Sequence, residues 1–337
     1  MRVVVTGGAG YIGSHTCKYL ASRGHTCIAY DNLSRGDAAA VRWGELEVGE
    51  LLDEAKLDEV FRRFQPEAVV HLAALAYVGE SMSHPDRYYR TNVSGTQYLL
   101  DAMLRHRVRR IVFSSSCATY GNPKSLPINE LEEQKPVNPY GRSKLIVEQV
   151  LADYGAAYGI RSVSLRFFNA AGADPDGELG ESHQPETHAI PLAIKAALGT
   201  GPSFQIMGSD YPTPDGTAVR DYIHVSDLAE AHVAALERSE HGPTSECFNL
   251  GTGTGTSVLD MIRAVESATG RRVPTIYSAR RPGDPPILVA SAERARTCLG
   301  WRPKHATISG IVATAVPWFS RGISTDVRDG DRRRRAL

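Results

Sequence analysis

The segment RVVVTGGAGYIGSH, residues 2–15, decides the fold of this chain. β-branched residues dominate Arg2–Thr6, which predicts a short buried strand, and the stretch from Tyr11 to about Ser22 has the pattern of a helix. A glycine-rich turn joins the two elements. The sequence therefore begins with a strand, a tight turn and a helix.

The turn contains a GxxGxxG pattern formed by Gly7, Gly10 and Gly13. Gly7 permits the tight turn, Gly10 lets the backbone approach a pyrophosphate, and Gly13 lets the helix pack closely. The first turn of the helix, which includes Ile12, offers free N–H groups and a positive dipole to phosphates. This context predicts a dinucleotide-binding site.

Downstream segments alternate between the same two types. We predict strands at Cys27–Tyr30, Glu67–Ala73, Arg110–Ser115 and Arg161–Phe167, and helices at Leu57–Phe64, Asp86–Arg105 and Tyr140–Ala157. Apolar strands separated by helices indicate βαβ crossovers and a parallel sheet that is covered on both faces. The fold class that follows is α/β, with a doubly wound parallel sheet.

The alternation becomes irregular after Asn169. The segments GADPDGELGESHQPETH (172–188) and GSDYPTPDGTAVRDY (208–222) are rich in glycine, proline and charge and are predicted to be loops. We divide the chain into a dinucleotide-binding domain, residues 1–169, and a smaller mixed α/β substrate domain, residues 170–325, from which a strand near 246–250 rejoins the sheet. Residues 326–337, with their RRRR run, are expected to be a disordered, solvated tail.

The composition limits the classes of partner. The 337 residues include 38 Lys and Arg and 38 Asp and Glu, so no overall charge favours nucleic acid or a membrane surface. We find no apolar run of transmembrane length and no signal peptide. The five cysteines lack CxxC spacing and indicate reduced, mostly buried thiols in a cytoplasmic protein, with no metal site.

The choice of dinucleotide depends on Asp31, which ends the second strand eighteen residues after Gly13. A carboxylate there can accept hydrogen bonds from both adenosine ribose hydroxyls and would repel a 2′-phosphate. Asn32 follows, where NADP would favour a cation, although Arg35 lies nearby. The sequence therefore favours NAD over NADP.

A candidate catalytic set comes from two further segments. In Tyr140-Gly-Arg-Ser-Lys144 the phenol and the ammonium lie on one helix face, and a neighbouring ammonium favours the ionised phenol. A positive nicotinamide and the start of the helix would act in the same direction. Tyr140 is therefore predicted to be a general base for a sugar hydroxyl, with a lowered pKa. Ser116 follows a strand at the carboxyl end of the sheet and can hydrogen-bond the same hydroxyl.

Several longer stretches resemble one family. They are TGGAGYIGSH, YDNLSRG, VGESM, YYRTNVSGT, FSSSCATYG, NPYGRSK, LRFFNAAGA, DYPTPDGTAVRDYIHV, FNLGTGTGTSVLDM and RRPGDPP. The chain is similar over about residues 1–320 to the extended short-chain dehydrogenase/reductases, which have a Rossmann sheet, and within them to the UDP-hexose 4-epimerases.

The resemblance implies a reaction. Tyr140 removes the proton from O4 of a UDP-hexose, the C4 hydride passes to a retained NAD, and the 4-keto sugar turns before hydride and proton return. Lys144 would bind the nicotinamide ribose and lower the pKa of Tyr140, while Ser116 would orient O4. A homodimer through Asp86–Arg105 and Tyr140–Ala157 is also implied.

The implied binding residues form two sets. The cofactor set comprises Gly7, Gly10, Tyr11, Ile12, Gly13, Asp31, Asn32, Glu50, Leu51, Leu72, Ala73, Ala74, Asn92, Ser114, Tyr140, Lys144 and Phe168. The substrate set comprises Ser116, Tyr140, Asn169, His188, Arg220, Arg281 and Asp284. Two arginines suit a diphosphate because guanidinium groups bind oxyanions as a fork.

Single positions distinguish this chain from enzymes with related activities. Cys117 and Ala118 replace the acid–base pair of the 4,6-dehydratases, and Ala118 stands where epimerase-reductases carry a cysteine. Leu288 lies where some 4-epimerases place a tyrosine, so a UDP-N-acetylhexosamine remains open, as does a UDP-pentose or uronate. A non-catalytic NAD-binding regulator is the distant alternative, although the chain keeps every catalytic residue.

Overall fold

The computed structural model describes residues 1–281 and 284–321. Within these ranges the strands are β1 (Arg2–Thr6), β2 (Thr26–Asp31), β3 (Glu45–Val48), β4 (Ala68–His71), β5 (Arg110–Ser116), β6 (Arg161–Phe167), β7 (Asn169–Ala171), β8 (Phe204–Met207), β9 (Val219–His224), β10 (Ser245–Leu250), β11 (Gly255–Ser257), β12 (Thr275–Ser278) and β13 (Ile287–Leu288). The helices are α1 (Tyr11–Ser22), α2 (Glu54–Phe64), α3 (Val78–Ser83), α4 (Pro85–Tyr88), α5 (Gly95–Arg105), α6 (Pro139–Tyr158), α7 (Ala189–Leu198), α8 (Val225–Arg238), α9 (Val258–Thr269), α10 (Glu293–Cys298) and α11 (Ile308–Phe319).

The main sheet has seven strands in the order β10-β6-β5-β4-β1-β2-β3, and every neighbouring pair is parallel. The chain winds outward in one direction from β1 through β2 to β3 and then in the other from β4. The strand order therefore reverses between β1 and β4, and ligands of such sheets bind outside the carboxyl ends at this point. The predicted doubly wound parallel sheet is confirmed.

The alternation of side chains along β1 explains how both faces are covered. Val3 and Val5 face a cluster that includes residues of α1 and α8, whereas Val4 faces a cluster built with α2, α5 and α6. All three valines are fully buried. A strand that is apolar on both sides is stable only when helices cover both faces, as they do here.

The second half of the sequence contributes to both parts of the molecule. Strand β10 pairs in parallel with β6, and Phe248 and Leu250 pack with Leu228 of α8 in the core below the main sheet. The remaining elements form a separate core from α7, α9, α11 and β8. A four-stranded sheet, in which β9 pairs with β7, β11 and β13, connects the two parts.

Three local predictions differ from the structure. The predicted helix Asp86–Arg105 is not one regular α-helix, because a π-helical segment, Tyr89–Ser94, separates α4 from α5. Strand β3 was not predicted, because ELEV alternates charged and apolar residues over only four positions, which is a weak local signal. The predicted loop 208–222 ends early, because its last four residues belong to β9. The predicted tail, residues 326–337, lies outside the described residues.

Across the described ranges, no helix combines the length and the apolar character needed to cross a membrane.

Candidate functional site

The glycine-rich turn has the geometry that its sequence predicts. Gly7 has φ +71°, and a Cβ atom at this position would lie 2.7 Å from the backbone nitrogen of Ala73. A Cβ on Gly13 would lie 2.0 Å from the carbonyl oxygen of Gly7, so α1 packs directly on the turn. Gly10 precedes α1 without a side-chain cap, which leaves the N–H groups of Tyr11, Ile12 and Gly13 without intrahelical acceptors. These donors suit a pyrophosphate.

Asp31 is buried at the end of β2, beside this turn. Its Oδ2 accepts a hydrogen bond from the backbone N–H of Ala9 at 3.0 Å, and its Oδ1 accepts one from Leu33 at 2.8 Å. Burial raises the pKa of Asp31, and these two hydrogen bonds act in the opposite direction. Each carboxylate oxygen keeps a further lone pair, as the predicted contact with ribose hydroxyls requires.

The other residues predicted at the adenosine end lie near Asp31 but make contacts among themselves. Asn32 Nδ2 donates to Glu50 Oε1 at 2.9 Å, and Leu51 is buried in the core. Arg35, the residue that left NADP open, lies 3.5 Å from Glu80 and stacks on the ring of Tyr77 at 4.7 Å. Glu80 therefore partly neutralises the cation that a 2′-phosphate would need.

The loop after β4 lies against the glycine-rich turn. Leu72 N donates to the carbonyl oxygen of Thr6 at 3.0 Å, Ala73 N donates to Thr6 Oγ1 at 3.3 Å, and Ala74 follows half-buried. The next residue in this loop, Leu75, is fixed by Asn92: Asn92 Oδ1 accepts from Leu75 N at 2.8 Å and Nδ2 donates to Leu75 O at 3.0 Å.

Asn92 also donates to Ser143 Oγ on α6 at 2.9 Å, so its amide connects the loop to the helix that carries Tyr140. Asn92 belongs to the π-helical segment, a distortion that is frequent at functional sites. The side chain was predicted to contact the cofactor. In the structure its amide hydrogen bonds are made to the protein.

Helix α6 places Tyr140 and Lys144 at the carboxyl edge of the sheet. Asn138 Oδ1 caps its N-terminus by accepting from Gly141 N at 2.8 Å, Pro139 occupies its first turn, and Gly159 ends it with φ +71°. Tyr140 and Lys144 are 8% and 4% exposed, so neither belongs to a surface helix pair. Lys144 Nζ donates to the carbonyl oxygen of Ser114 at 2.7 Å.

Burial dominates the electrostatics of this pair. It raises the pKa of Tyr140 to about 12; the hydrogen bond with the Ser116 hydroxyl lowers that pKa, and the nearby Cys117 thiol raises it. Burial also lowers the pKa of Lys144 to about 7, against the charge of Glu148. The groups of the protein alone therefore shift the pKa of Tyr140 upward, and the lowered pKa, which also relies on the positive nicotinamide of NAD, stays a prediction for the NAD-bound protein.

Ser116 ends β5 and begins a 3₁₀ turn over Cys117–Thr119. Its Oγ accepts from the backbone N–H of Ala118 at 3.1 Å, which fixes the hydroxyl toward the helix that carries Tyr140. Next to this turn, Phe168, Cys117 and Leu288 belong to one small buried cluster. The structure thus brings together Ser114, Ser116, Tyr140, Lys144 and Phe168.

The residues predicted to hold the substrate lie in and beside the four-stranded sheet. Asn169 of β7 donates to the carbonyl oxygen of Asp221 at 3.1 Å. Arg220 of β9 donates to Asp284 Oδ1 at 2.5 Å and to the carbonyl oxygen of Val219 at 2.8 Å, and its side chain is 11% exposed. Arg281 is exposed, three residues before Asp284. Because a guanidinium has five N–H donors, Arg220 retains donors for an anion.

His188 belongs to a repeated Glu-x-His pattern, Glu181–His183 and Glu186–His188. His188 Nδ1 lies 2.8 Å from Glu186 Oε1 and 3.4 Å from Glu181 Oε2. Burial lowers the pKa of His188, but the hydrogen bond with Glu186 and the two carboxylate charges raise it by more, so that the net shift is upward. His188 and Tyr11 line the same small cavity.

Tyr77, which was not predicted from the sequence, connects this segment to the loop after β4. Its hydroxyl donates to the carbonyl oxygen of Pro185 at 3.2 Å, and its ring makes edge-to-face contacts with His183 and His188. Tyr11 makes a second connection, since its hydroxyl donates to the carbonyl oxygen of Gly172 at 2.6 Å. Neither contact has a sequence signal, because each joins residues about one hundred or more positions apart.

Comparison with known proteins agrees with this arrangement. Residues 3–251 match the model of the NAD dependent epimerase/dehydratase family. A UDP-glucose 4-epimerase of Rhizobium leguminosarum bv. trifolii is 53% identical over 319 residues, which cover 95% of this chain and 97% of the relative. The chain belongs to this epimerase family.

Solved structures of the family superpose closely on the chain. The crystal structure of UDP-glucose 4-epimerase from Brucella ovis in complex with NAD matches with a TM-score of 0.92 and 54% identity, covering 94% of this chain and 98% of that one. The enzyme from Bifidobacterium longum in complex with NAD+ and UDP matches with a TM-score of 0.92 and 39% identity, covering 96% and 99%. Family membership therefore extends over nearly the whole chain.

Proposed function

We propose that this protein is an NAD-dependent epimerase that inverts C4 of a UDP-hexose and interconverts UDP-glucose and UDP-galactose. The observation that carries the proposal is the buried set of Ser116, Tyr140 and Lys144 at the carboxyl edge of the sheet, beside the glycine-rich turn. The family membership supports the same activity. The site residues named below are proposed from their sequence positions and from this geometry.

The chain has a fitting place for NAD. The turn at Gly7–Gly13 presents backbone N–H groups where a side chain would obstruct them, and Asp31 lies next to it with lone pairs for the ribose hydroxyls. Leu72–Ala74 and Phe168 border the same edge, and Lys144 is assigned to the nicotinamide ribose. Bound there, NAD supplies the hydride acceptor and donor for C4 chemistry.

The proton transfer is assigned to Tyr140. To accept the O4 proton, its hydroxyl must be ionised, yet burial raises its pKa to about 12. The ionised form therefore needs positive charge nearby, and the ammonium of Lys144, on the same helix face, supplies it when protonated. The Ser116 hydroxyl lowers the pKa of Tyr140, and we assign to it the orientation of O4.

The UDP part is assigned to the second part of the chain. Arg220 and Arg281 provide guanidinium groups for the diphosphate, and Asp284 holds Arg220. Asn169 and His188 are assigned to the same UDP part. Binding energy at this non-reacting end keeps the sugar in the site while its C4 presents either face. A homodimer and a cytoplasmic location remain predictions from the sequence.

A second candidate substrate is a UDP-N-acetylhexosamine. Leu288 packs with Cys117 and Phe168 beside the residue that orients O4, and it is smaller than the tyrosine that some 4-epimerases carry there. More room at this point would accommodate an N-acetyl group. A UDP-pentose or a uronate would use the same anchors.

Incubation of the purified protein with UDP-galactose tests the proposal, with UDP-glucose as the product to be measured. UDP-N-acetylglucosamine and UDP-xylose in parallel define the substrate range. Tyr140→Phe should keep the fold and the bound NAD and lose at least about a hundredfold in turnover, the range for a missing general acid–base group. Absence of conversion by the wild type, with NAD bound, would instead identify a non-catalytic NAD-binding protein.

A further inference from the structure

Three polar residues form a row across neighbouring strands of the main sheet, below the proposed catalytic residues. Ser115 of β5 is paired in register with Arg166 of β6, and Arg166 is paired with Asn249 of β10. Residues paired in register point to the same face of a sheet. The row is one residue away from Ser116 along β5, and Arg166 and Asn249 are 5% and 0% exposed.

Glu148 of α6 contacts this row from the helix that covers this face of the sheet. It follows Lys144 by four residues, as Lys144 follows Tyr140, so all three lie on one face of the helix. Its carboxylate accepts from Ser115 Oγ at 2.5 Å, from Arg166 Nε at 2.9 Å and from Arg166 Nη2 at 2.6 Å. Gln134 Nε2 donates to it at 3.1 Å.

The second arm of Arg166 extends the network to the turn after β5. Arg166 Nη1 donates to Tyr120 Oη at 2.9 Å, and the Tyr120 hydroxyl donates to Asn249 Oδ1 at 2.7 Å. Tyr120 follows the 3₁₀ turn that begins at Ser116. Hydrogen bonds from one buried ion pair therefore reach both ends of the segment that carries the Ser116 hydroxyl.

We propose that Glu148 is a positioning residue, which through Ser115 and Arg166 fixes the strand end that carries Ser116 against the helix that carries Tyr140 and Lys144. The inference rests on the proposed function, because it assigns a role in that reaction. None of the network residues is placed to touch substrate or cofactor.

The energetics favour a geometric role over a stabilising one. The side chains of Glu148 and Arg166 are 9% and 6% exposed, and a buried ion pair gains little stability over an apolar pair of the same size. Its fixed hydrogen bonds do define a geometry. A displacement of about 1 Å between reacting groups can cost about a hundredfold in rate.

The charge of Glu148 has a second effect. The charged and titratable groups around Lys144 and Glu148 are Tyr140 on α6, His71 on β4, Arg166 on β6 and Cys247 on β10. Glu148 is the negative charge that raises the pKa of Lys144 against burial. Without it, Lys144 loses its proton at a lower pH, and the fall of turnover on the alkaline side moves in the same direction.

Glu148→Gln, Glu148→Asp and a matched control, Glu246→Gln, test the proposal. Glu246 of β10 is an equally buried carboxylate, 7% exposed, and lies outside the network. It pairs with Arg238 at 3.0 Å. We expect Glu148→Gln to reduce kcat about a hundredfold with KM within a few-fold, and to move the alkaline limb of the kcat profile by about one pH unit downward. Glu148→Asp should recover the position of that limb, and Glu246→Gln should change only stability.

The titration of Lys144 gives a readout that does not need turnover. It is followed in the NAD-bound protein by NMR of ¹³C-labelled lysines, and the Lys144 signal is assigned with Lys144→Arg. Its midpoint should fall in Glu148→Gln and stay in place in Glu246→Gln. Equal kcat profiles and equal titrations in the two Gln variants would refute the positioning role. An inactive wild type in which the Lys144 midpoint still depends on Glu148 would refute the epimerase assignment instead.

Discussion

The Lys144 ammonium donates a hydrogen bond to the carbonyl oxygen of Ser114 at 2.7 Å, and its Nζ lies 5.9 Å from the centre of the Tyr140 ring. The bond ties α6 to β5 two residues before Ser116. Lys144 thus holds together the two elements that carry the proposed catalytic hydroxyls. The same side chain places a positive charge beside a phenol whose pKa burial raises.

Replacement of Lys144 by Met removes the hydrogen bond to Ser114 and the positive charge beside Tyr140 but keeps most of the side-chain volume. Met has a similar length but neither charge nor donor, so the carbonyl of Ser114 loses a buried partner and the Tyr140 phenolate loses its nearest cation. We expect turnover to fall by at least about a hundredfold and NAD to bind more weakly. Turnover of UDP-galactose and the NAD content of the purified protein measure the two effects. Unchanged turnover would contradict the role given to this ammonium.

Substitution of Gly13 by Ala should abolish NAD binding, because the added Cβ meets the carbonyl oxygen of Gly7 at 2.0 Å. The turn must then move away from the start of α1, where the pyrophosphate is proposed to bind. Gly79→Ala is the matched control, since nothing lies within 4 Å of a Cβ there and α3 accepts alanine. Bound NAD after purification is the measurement, and a Gly13→Ala protein with full NAD content would exclude the proposed site.

Asp31→Asn should lower the affinity for NAD by about tenfold to a hundredfold, the value of hydrogen bonds to a charged group. The substitution also removes the charge that opposes a 2′-phosphate, so the ratio of NADP to NAD affinity should rise. Fluorescence titration of cofactor-stripped protein with both dinucleotides measures this ratio. A ratio equal to that of the wild type would show that Asp31 does not select the cofactor.

Arg220→Lys should raise KM for UDP-galactose by about tenfold to a hundredfold with a smaller change in kcat. Lysine keeps the charge but loses the fork that binds Asp284 and an oxyanion together. Asp284→Asn, which leaves Arg220 in place without its carboxylate partner, should have the weaker effect of the two. Steady-state kinetics separate KM from kcat, and a KM unaffected by Arg220→Lys would remove this residue from the substrate site.

Stability should decrease as the pH falls from about 6.5 toward 5. Burial lowers the pKa of His15 and His232 to about 4 and that of His71 and His224 to about 3. In this window the unfolded chain binds protons that the folded chain does not, so each imidazole costs up to about 1.4 kcal/mol per pH unit. His188, with a raised pKa, acts in the opposite direction and offsets part of the loss.

Urea unfolding at pH 7, 6 and 5 measures this dependence. His232→Gln removes one of the four titrating groups while leaving a side chain that can hydrogen-bond the carbonyl oxygen of Leu228. The slope of the unfolding free energy against pH should decrease by about the share of one imidazole. A stability that is constant between pH 7 and 5 would contradict the assignment of neutral, buried histidines.

The parts of the fold with strong local patterns could be predicted from the sequence. Strands β1 and β6 and helix α1 have the predicted bounds, because their apolar periodicity and the glycine turn are local signals. Strand β3 has only four residues of such a pattern, and its stability comes from pairing with β2. The π-helical segment could not be predicted from the sequence for a similar reason, because Asn92 is fixed by partners on two distant segments.

The site shows the same difference between features with a local sequence pattern and features that depend on distant contacts. Ser116, Tyr140 and Lys144 could be proposed as a catalytic set because spacing on a helix and position at a strand end are sequence properties. The upward shift that the protein alone produces in the Tyr140 pKa was not predicted, because a local motif does not report burial. The pairing of Arg220 with Asp284 joins positions 64 residues apart and has no local signal.

Strand β10 belongs to the main sheet and α8 packs against it, although both come from the second half of the sequence. This arrangement restricts how the enzyme can be divided into fragments or recombined with relatives. A fragment that stops at Asn169 would expose the edge of β6, whose free N–H and C=O groups would then pair with other chains. It would also leave the apolar face beneath β1 partly bare, because Leu228, Ala231 and Leu236 belong to α8. A chimaera that transplants residues 1–169 must therefore also include β10 and α8 from the later part of the sequence.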